Sequence, residues 1–169
     1  MRVLVALLAL FPTVLLAQGQ GPGRAAAPVV NPLAVMAAQV RSTACAGMAR
    51  TIGEKVLGDG ATSGVVLAAR QGADQALFSA SLESRDGAGA HFVSAFLAPN
   101  ARGGCDAGYD DVRYWGKPCG ELALQDLRGL GVARPLGAQV STFVMGPNQH
   151  VYLLPAGVGC VTVRKEVMF

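Results

Sequence analysis

The chain has 169 residues, enough for one domain, and 51% of them are hydrophobic while 15% are charged. This balance excludes an intrinsically disordered chain, which needs few apolar and many charged residues. The net charge of +3 is spread along the chain, with no lysine and arginine block to neutralise phosphates, so we expect no nucleic-acid partner.

The N-terminal segment predicts export. Arg2 gives a positive end, residues 3–16 form an apolar stretch, and a small residue and a polar, glycine-rich segment follow. An apolar core of about 7–15 residues between such flanks is typical of a secretory signal peptide, whereas a membrane-spanning helix needs about 20. We therefore predict a signal peptide over 1–17, a flexible tether over 18–30 and a single domain over 31–169. The mature chain would be periplasmic or secreted and have no transmembrane segment; an uncleaved N-terminal anchor is the alternative.

The first half of the domain predicts a helix followed by strands. Asn31 before Pro32 is typical of a helix start, because asparagine caps the first turn and proline fits its first position. Apolar residues then recur at helical spacing over 43–57, either as part of the same helix or as a second one. Three segments of strand character follow, at 63–70, 76–84 and 90–98.

The second half predicts a long loop over 99–120 and a short helix over 121–128. Three further strands are expected, at 139–145, 150–154 and 159–166. The predicted fold is therefore α+β. It has an antiparallel sheet of about six strands in two three-strand meanders, one longer N-terminal helix and one short central helix.

Four cysteines in an exported chain predict two disulfides: Cys45, Cys105, Cys119 and Cys160. Cys105 and Cys119 flank a short segment rich in turn residues, so we expect them to pair and to leave Cys45 with Cys160. One observation conflicts with this pairing. In the last predicted strand Cys160 shares a face with Thr162, whereas a helix that carries Cys45 should cover the opposite, valine-bearing face. A zinc site is the alternative, disfavoured because the chain has no Cys-x-x-Cys spacing.

The segment between Cys105 and Cys119 is the predicted binding surface. It holds the only tryptophan and two of the three tyrosines of the chain. Aromatic residues and arginine dominate interface hot spots, and a disulfide across the loop would lower the entropic cost of binding. We expect it to contact a protein or cell-envelope component through Tyr109, Asp110, Asp111, Arg113, Tyr114 and Trp115. In the alternative, Tyr114 and Trp115 form a small core beneath the loop and the charges are solvated.

No cofactor or metal is predicted, although two arrangements could hold one. His91 and His150 each begin a predicted strand, and they could share a metal ion if those strands were neighbours. The loop also has three aspartates that could bind calcium, but not at the spacing of a helix-loop-helix calcium site: Asp106, Asp110 and Asp111.

A small secreted hydrolase is the alternative function. His91 or His150 would act as general base, a loop aspartate would orient it, and Ser94 or Ser141 would be the nucleophile. No G-x-S-x-G motif supports this arrangement. A non-enzymatic binding domain is therefore favoured, and a purely structural subunit of an envelope assembly is a further alternative.

Overall fold

The structure is a computed structural model, and it describes residues 30–57, 63–68 and 76–169. The predicted signal peptide, nearly all of the predicted tether and the last two residues of the strand predicted over 63–70 lie outside these ranges. Within the described ranges, no helix has both the length and the apolar character needed to cross a membrane.

The N-terminal region forms two short helices, α1 (Pro32–Gln39) and α2 (Ala46–Val56). The alternative of a second helix over 43–57 is therefore the observed one, and the single longer helix of the predicted fold is wrong. Asn31 caps α1 as expected, since its side-chain oxygen accepts a hydrogen bond from the backbone N–H of Ala34 at 3.1 Å. Its amide group also donates to a backbone carbonyl of α2 at 2.9 Å. Gly53 permits this close approach, because a Cβ there would lie 2.2 Å from the Asn31 side chain.

The strands form one antiparallel sheet with the order β1-β2-β3-β4-β8-β7-β6-β5, so that two four-strand meanders are joined through β4 and β8. The predicted α+β class with an antiparallel sheet is confirmed, but the sheet has eight strands rather than about six. The strands are β1 Ser63–Ala68, β2 Phe78–Asp86, β3 Gly89–Pro99, β4 Cys105–Trp115, β5 Arg134–Pro135, β6 Ser141–Gly146, β7 Gln149–Ala156 and β8 Gly159–Met168.

The segment predicted as a loop over 99–120 contains β4, a strand in the middle of the sheet. β4 pairs with β3 on one side and with β8 on the other. The loop prediction is therefore wrong. Its polar residues do not mark a solvated turn, because Asp111 and Arg113 pair with each other on the covered side of the sheet and Asp111 also pairs with His91 of β3.

Helices cover one face of the sheet in two separate layers. The first layer, α1 and α2, packs on β2, β3 and β4. The second layer packs on β6, β7 and β8 and comprises α3 (Cys119–Gln125) and a 3-10 helix (Arg128–Leu130), where the sequence predicts one short helix. Successive side chains of a strand point to opposite faces of the sheet. No described helix packs on the other face, which is here called the uncovered face.

The disulfides are Cys45–Cys105 and Cys119–Cys160, and the predicted pairing of Cys105 with Cys119 and of Cys45 with Cys160 is wrong. β4 separates Cys105 from Cys119, because ten residue steps of extended chain span about 33 Å. The helices cover the face of β8 that bears Cys160 and Thr162, and the valine-bearing face is the uncovered one. The helical layer over Cys160 is the one that carries Cys119, so Cys45 does not need to reach it. Each disulfide attaches one helical layer to the sheet.

Candidate functional site

Two hydrophobic cores lie under the two helical layers. The first is built around Phe78, Leu82, Val93 and Tyr109, and the second around Leu122, Phe143, Leu153 and Cys160. β4 extends beneath both layers, with Tyr109 in the first core and Trp115 against the second. Between the two cores, the covered face carries a strip of polar side chains: His91, Asp111, Arg113, Thr162 and Arg164.

A hydrogen-bonded cluster fills one end of this strip. The His91 side chain is 0% exposed, and its Nδ1 lies 2.6 Å from Asp111 Oδ1. Arg113 Nε donates to both carboxylate oxygens of Asp111 at 3.2 Å, and its Nη1 donates to Asp86 at 2.6 Å. Arg113 Nη2 lies 3.4 Å from His91 Nε2. Because a carboxylate can only accept, His91 Nδ1 carries a proton and donates it to Asp111.

Electrostatics hold Arg113 within this cluster. The hydrogen bond from Arg113, followed by one from the backbone of Ala88, lowers the pKa of Asp86. Burial alone would lower the pKa of Arg113, but the hydrogen bond to Asp86 and the charge of Asp111 outweigh it, so that its pKa is raised. The Arg113 guanidinium is therefore paired with two carboxylates.

A cavity of about 300 Å³ opens between the polar strip and the second helical layer. Trp115 Nε1 lies in its lining and donates to Thr162 Oγ1 at 3.0 Å. Arg164 also lines the cavity and forms no hydrogen bond or ion pair with the described residues. The full lining is Asp111, Arg113, Trp115, Leu127, Leu130, Met145, Val151, Thr162 and Arg164.

The six candidate binding residues fall on both faces of the sheet. Asp111, Arg113 and Trp115 line the cavity, while Tyr109 is fully buried in the first core. Asp110 and Tyr114 lie on the uncovered face, where Asp110 pairs with Lys165 and Tyr114 is 60% exposed. The alternative expectation is that Tyr114 and Trp115 pack together in a small core. Trp115 does pack against the second core, whereas Tyr114 does not.

The uncovered face is unusually apolar for the open side of an antiparallel sheet, which is commonly polar. Phe92 is 47% exposed there, and Val144 and Phe169 are also exposed. Part of this face forms a shallow second pocket beside His150 and Tyr152.

The structure does not bring together the residues that could have held a metal ion. His91 and His150 lie on opposite faces, on strands β3 and β7, which are not neighbours. Asp106 and Asp110 share the uncovered face, whereas Asp111 lies on the covered one. Over residues 30–57, 63–68 and 76–169, no three potential ligands cluster in a way that could hold a metal ion.

The serines predicted as nucleophiles are also remote from His91. Ser94 faces the uncovered side, and Ser141 lies on β6, four strands away and thus about 19 Å distant. Ser84 is opposite His91 on β2, but its buried hydroxyl makes no hydrogen bond. The expected contact between His91 and a loop aspartate exists, whereas the serine–histidine hydrogen bond of a catalytic triad is absent from the described residues.

Sequence reasoning missed Thr162, Arg164 and the apolar side of the cavity. Cys160 carried the signal, because it lies on the same face of the last predicted strand as Thr162 and Arg164, and a disulfide from that face to a helix places the polar residues under the helix. The apolar lining comes from three distant parts of the chain, and no local pattern joins them: Leu127 and Leu130, Met145, and Val151.

A second polar cluster attaches α2 to the middle of the sheet. Tyr109 donates to Glu166 at 2.7 Å, Gln149 donates to the same oxygen at 2.7 Å, and Lys55 binds the other carboxylate oxygen. Burial, and then the hydrogen bond to Glu166, raises the pKa of Tyr109 well above its usual range.

This shift predicts a loss of stability at alkaline pH. In the unfolded chain the Tyr109 phenol ionises near pH 10, whereas the folded state keeps its proton, so the free energy of unfolding falls as the pH rises above about 10. Urea denaturation between pH 8 and 11 measures this decrease. We expect Tyr109→Phe to reduce the decrease, and Tyr114→Phe is the matched control. An identical pH dependence in wild type and Tyr109→Phe would contradict the assignment.

Comparisons with protein families, curated proteins and solved structures find no match for this chain. The geometry of the cavity is therefore the basis for inferring what the protein does.

Proposed function

We propose that this protein is an exported, disulfide-stabilised binding domain without catalytic activity. It would take part of a protein or cell-envelope partner into the cavity beneath the second helical layer. The observation that carries the proposal is the cavity itself, whose floor includes Asp111, Arg113 and Trp115 of the segment between Cys105 and Cys119.

Two disulfides support export. All four cysteines of the chain are paired, and such bonds persist in oxidising compartments outside the cytosol. The signal peptide predicted over 1–17 supports the same localisation. Each disulfide also fixes one helical layer beside the polar strip. This attachment lowers the entropic cost of holding the cavity open for a partner.

The arrangement around His91 favours binding over hydrolysis. A general base needs a free ring nitrogen within reach of a substrate proton. Both nitrogens of His91 face protein partners, and its side chain has no solvent exposure. The cluster is better suited to hold β2, β3 and β4 in fixed positions beside the cavity.

The cavity is favoured over the uncovered face because it is concave and combines apolar walls with a few converging polar groups, as ligand sites do. Asp110 and Tyr114 would then take no part in contact with the partner. The pocket on the uncovered face has a similar volume of about 260 Å³ and polar groups in His150, Tyr152 and Lys165, but it is more open to solvent.

Filling the cavity tests the proposal. We expect Leu130→Trp to abolish retention of a bound component by the protein isolated from the exported fraction of its native cells, because the larger side chain would occupy the site. Native mass spectrometry measures the bound mass. Val158→Trp, at an exposed hairpin position, is the matched control and should keep the component. Retention by a folded Leu130→Trp protein, or the absence of any bound component from the wild type, would overturn the proposal.

A further inference from the structure

Arg164 gives the cavity a guanidinium that no described side chain hydrogen-bonds. Of its three ionisable lining residues, Asp111 and Arg113 pair with each other, and each has a further partner in His91 and Asp86. Arg164 has neither a hydrogen bond nor an ion pair with the described residues, although its charge helps to lower the pKa of the neighbouring Glu166. One cation therefore remains available to a ligand.

The rest of the lining is suited to an apolar group. Leu127 and Leu130 line the cavity beside the second helical layer, and Met145 and Val151 line it from the sheet. Thr162 Oγ1 already accepts the indole N–H of Trp115, so its own proton is free to be donated. A bound molecule would thus meet an apolar wall and, beside it, a guanidinium and a hydroxyl donor.

Resting on the proposed function, we infer that the cavity binds a small apolar carboxylate. The carboxylate would pair with Arg164, since a guanidinium matches its two oxygens in geometry, and the apolar body would contact Leu130 and Met145. A single guanidinium whose charge is partly offset by the Glu166 carboxylate favours a monoanion over a phosphate dianion. The cavity volume of about 300 Å³ is at the small end of ligand sites, which suits a short alkyl chain or one large side chain.

Two sources supply this chemistry: a free medium-chain fatty acid, and the hydrophobic C-terminal residue of a partner polypeptide. Both present a carboxylate beside an apolar group. The test therefore uses octanoate with octanol as its neutral counterpart, and N-acetyl-leucyl-leucine as the free acid with its C-terminal amide as the counterpart.

Trp115 is the only tryptophan of the chain and lines the cavity, so its fluorescence reports occupancy directly. We expect at least one acid to change the fluorescence saturably and to bind at least tenfold more tightly than its neutral counterpart. Arg164→Gln should remove this preference, while Arg164→Lys, which keeps the charge but not the paired donors, should retain part of it. Arg102→Gln, at an exposed turn, is the matched control and should bind as the wild type does.

The two acids separate the sources, because octanoate alone indicates a free fatty acid and the peptide acid alone indicates a polypeptide end. Equal affinity for an acid and its neutral counterpart would overturn the carboxylate inference and leave the proposed cavity function standing. Unchanged acid binding in folded Arg164→Gln would overturn the role of Arg164. If none of the four probes binds, the inference fails, and the retention experiment with Leu130→Trp still decides the proposed function separately.

Discussion

Replacing Cys45 and Cys105 by alanine lowers the free energy of unfolding by about 4 kcal/mol in the chain-entropy description of disulfides. The bond closes a long segment, since its two cysteines are 60 residues apart. It also attaches the first helical layer to the start of β4. The expected decrease in Tm is roughly 10–15 °C for a domain of this size, and calorimetry of oxidised wild type and variant measures it.

Thiol counts provide the control for this prediction. Cys45→Ala with Cys105→Ala should contain no free thiol, because Cys119 and Cys160 remain paired. Cys105→Ala with Cys119→Ala should expose two free thiols and lose both disulfides. Two free thiols in the first variant and none in the second would instead support the pairing of Cys105 with Cys119 and of Cys45 with Cys160 that the sequence predicts.

Asp111→Asn is the second change with a large expected effect. It removes the carboxylate that accepts hydrogen bonds from His91 and Arg113, both of which would remain in place without its charge. Removing one partner of a buried ion pair typically costs about 3–5 kcal/mol, and the partial exposure of Arg113 places the expected loss near the lower end of that range.

Urea denaturation at pH 7 measures this loss of stability. Asp126→Asn is the matched control, because Asp126 forms an exposed ion pair with Lys117. Such surface pairs contribute at most about 1 kcal/mol. Equal losses in the two variants would show that the His91 cluster contributes no more to stability than a surface ion pair.

The strands that alternate cleanly could be predicted from the sequence alone. β2 alternates apolar and polar residues from Phe78 to Glu83, and β3 aligns Phe92 with Phe96, so both were found within about two residues of their observed bounds. Asn31 and Pro32 likewise fixed the start of α1, because capping is a local interaction.

β4 could not be predicted in the same way. Asp111 and Arg113 occupy the covered face because residues on β3 and β2 hydrogen-bond to them, and those partners are 20 to 27 positions away in the chain. With β4 assigned to a loop, Cys105 and Cys119 wrongly appeared to be neighbours. Three of the six candidate residues in this segment, Asp111, Arg113 and Trp115, line the cavity. Arg164 could be recognised only after β8 had been placed beside β4.

Photo-crosslinking in exporting cells tests most directly whether the cavity is where this protein meets its partner. A p-benzoylphenylalanine side chain is placed either at Met145, in the cavity lining, or at Phe92, on the uncovered face; both positions are similarly exposed. We predict a covalent adduct at position 145 that disappears in the Leu130→Trp background, and no adduct at position 92. An adduct at position 92 alone would contradict the account and assign the contact to the uncovered face.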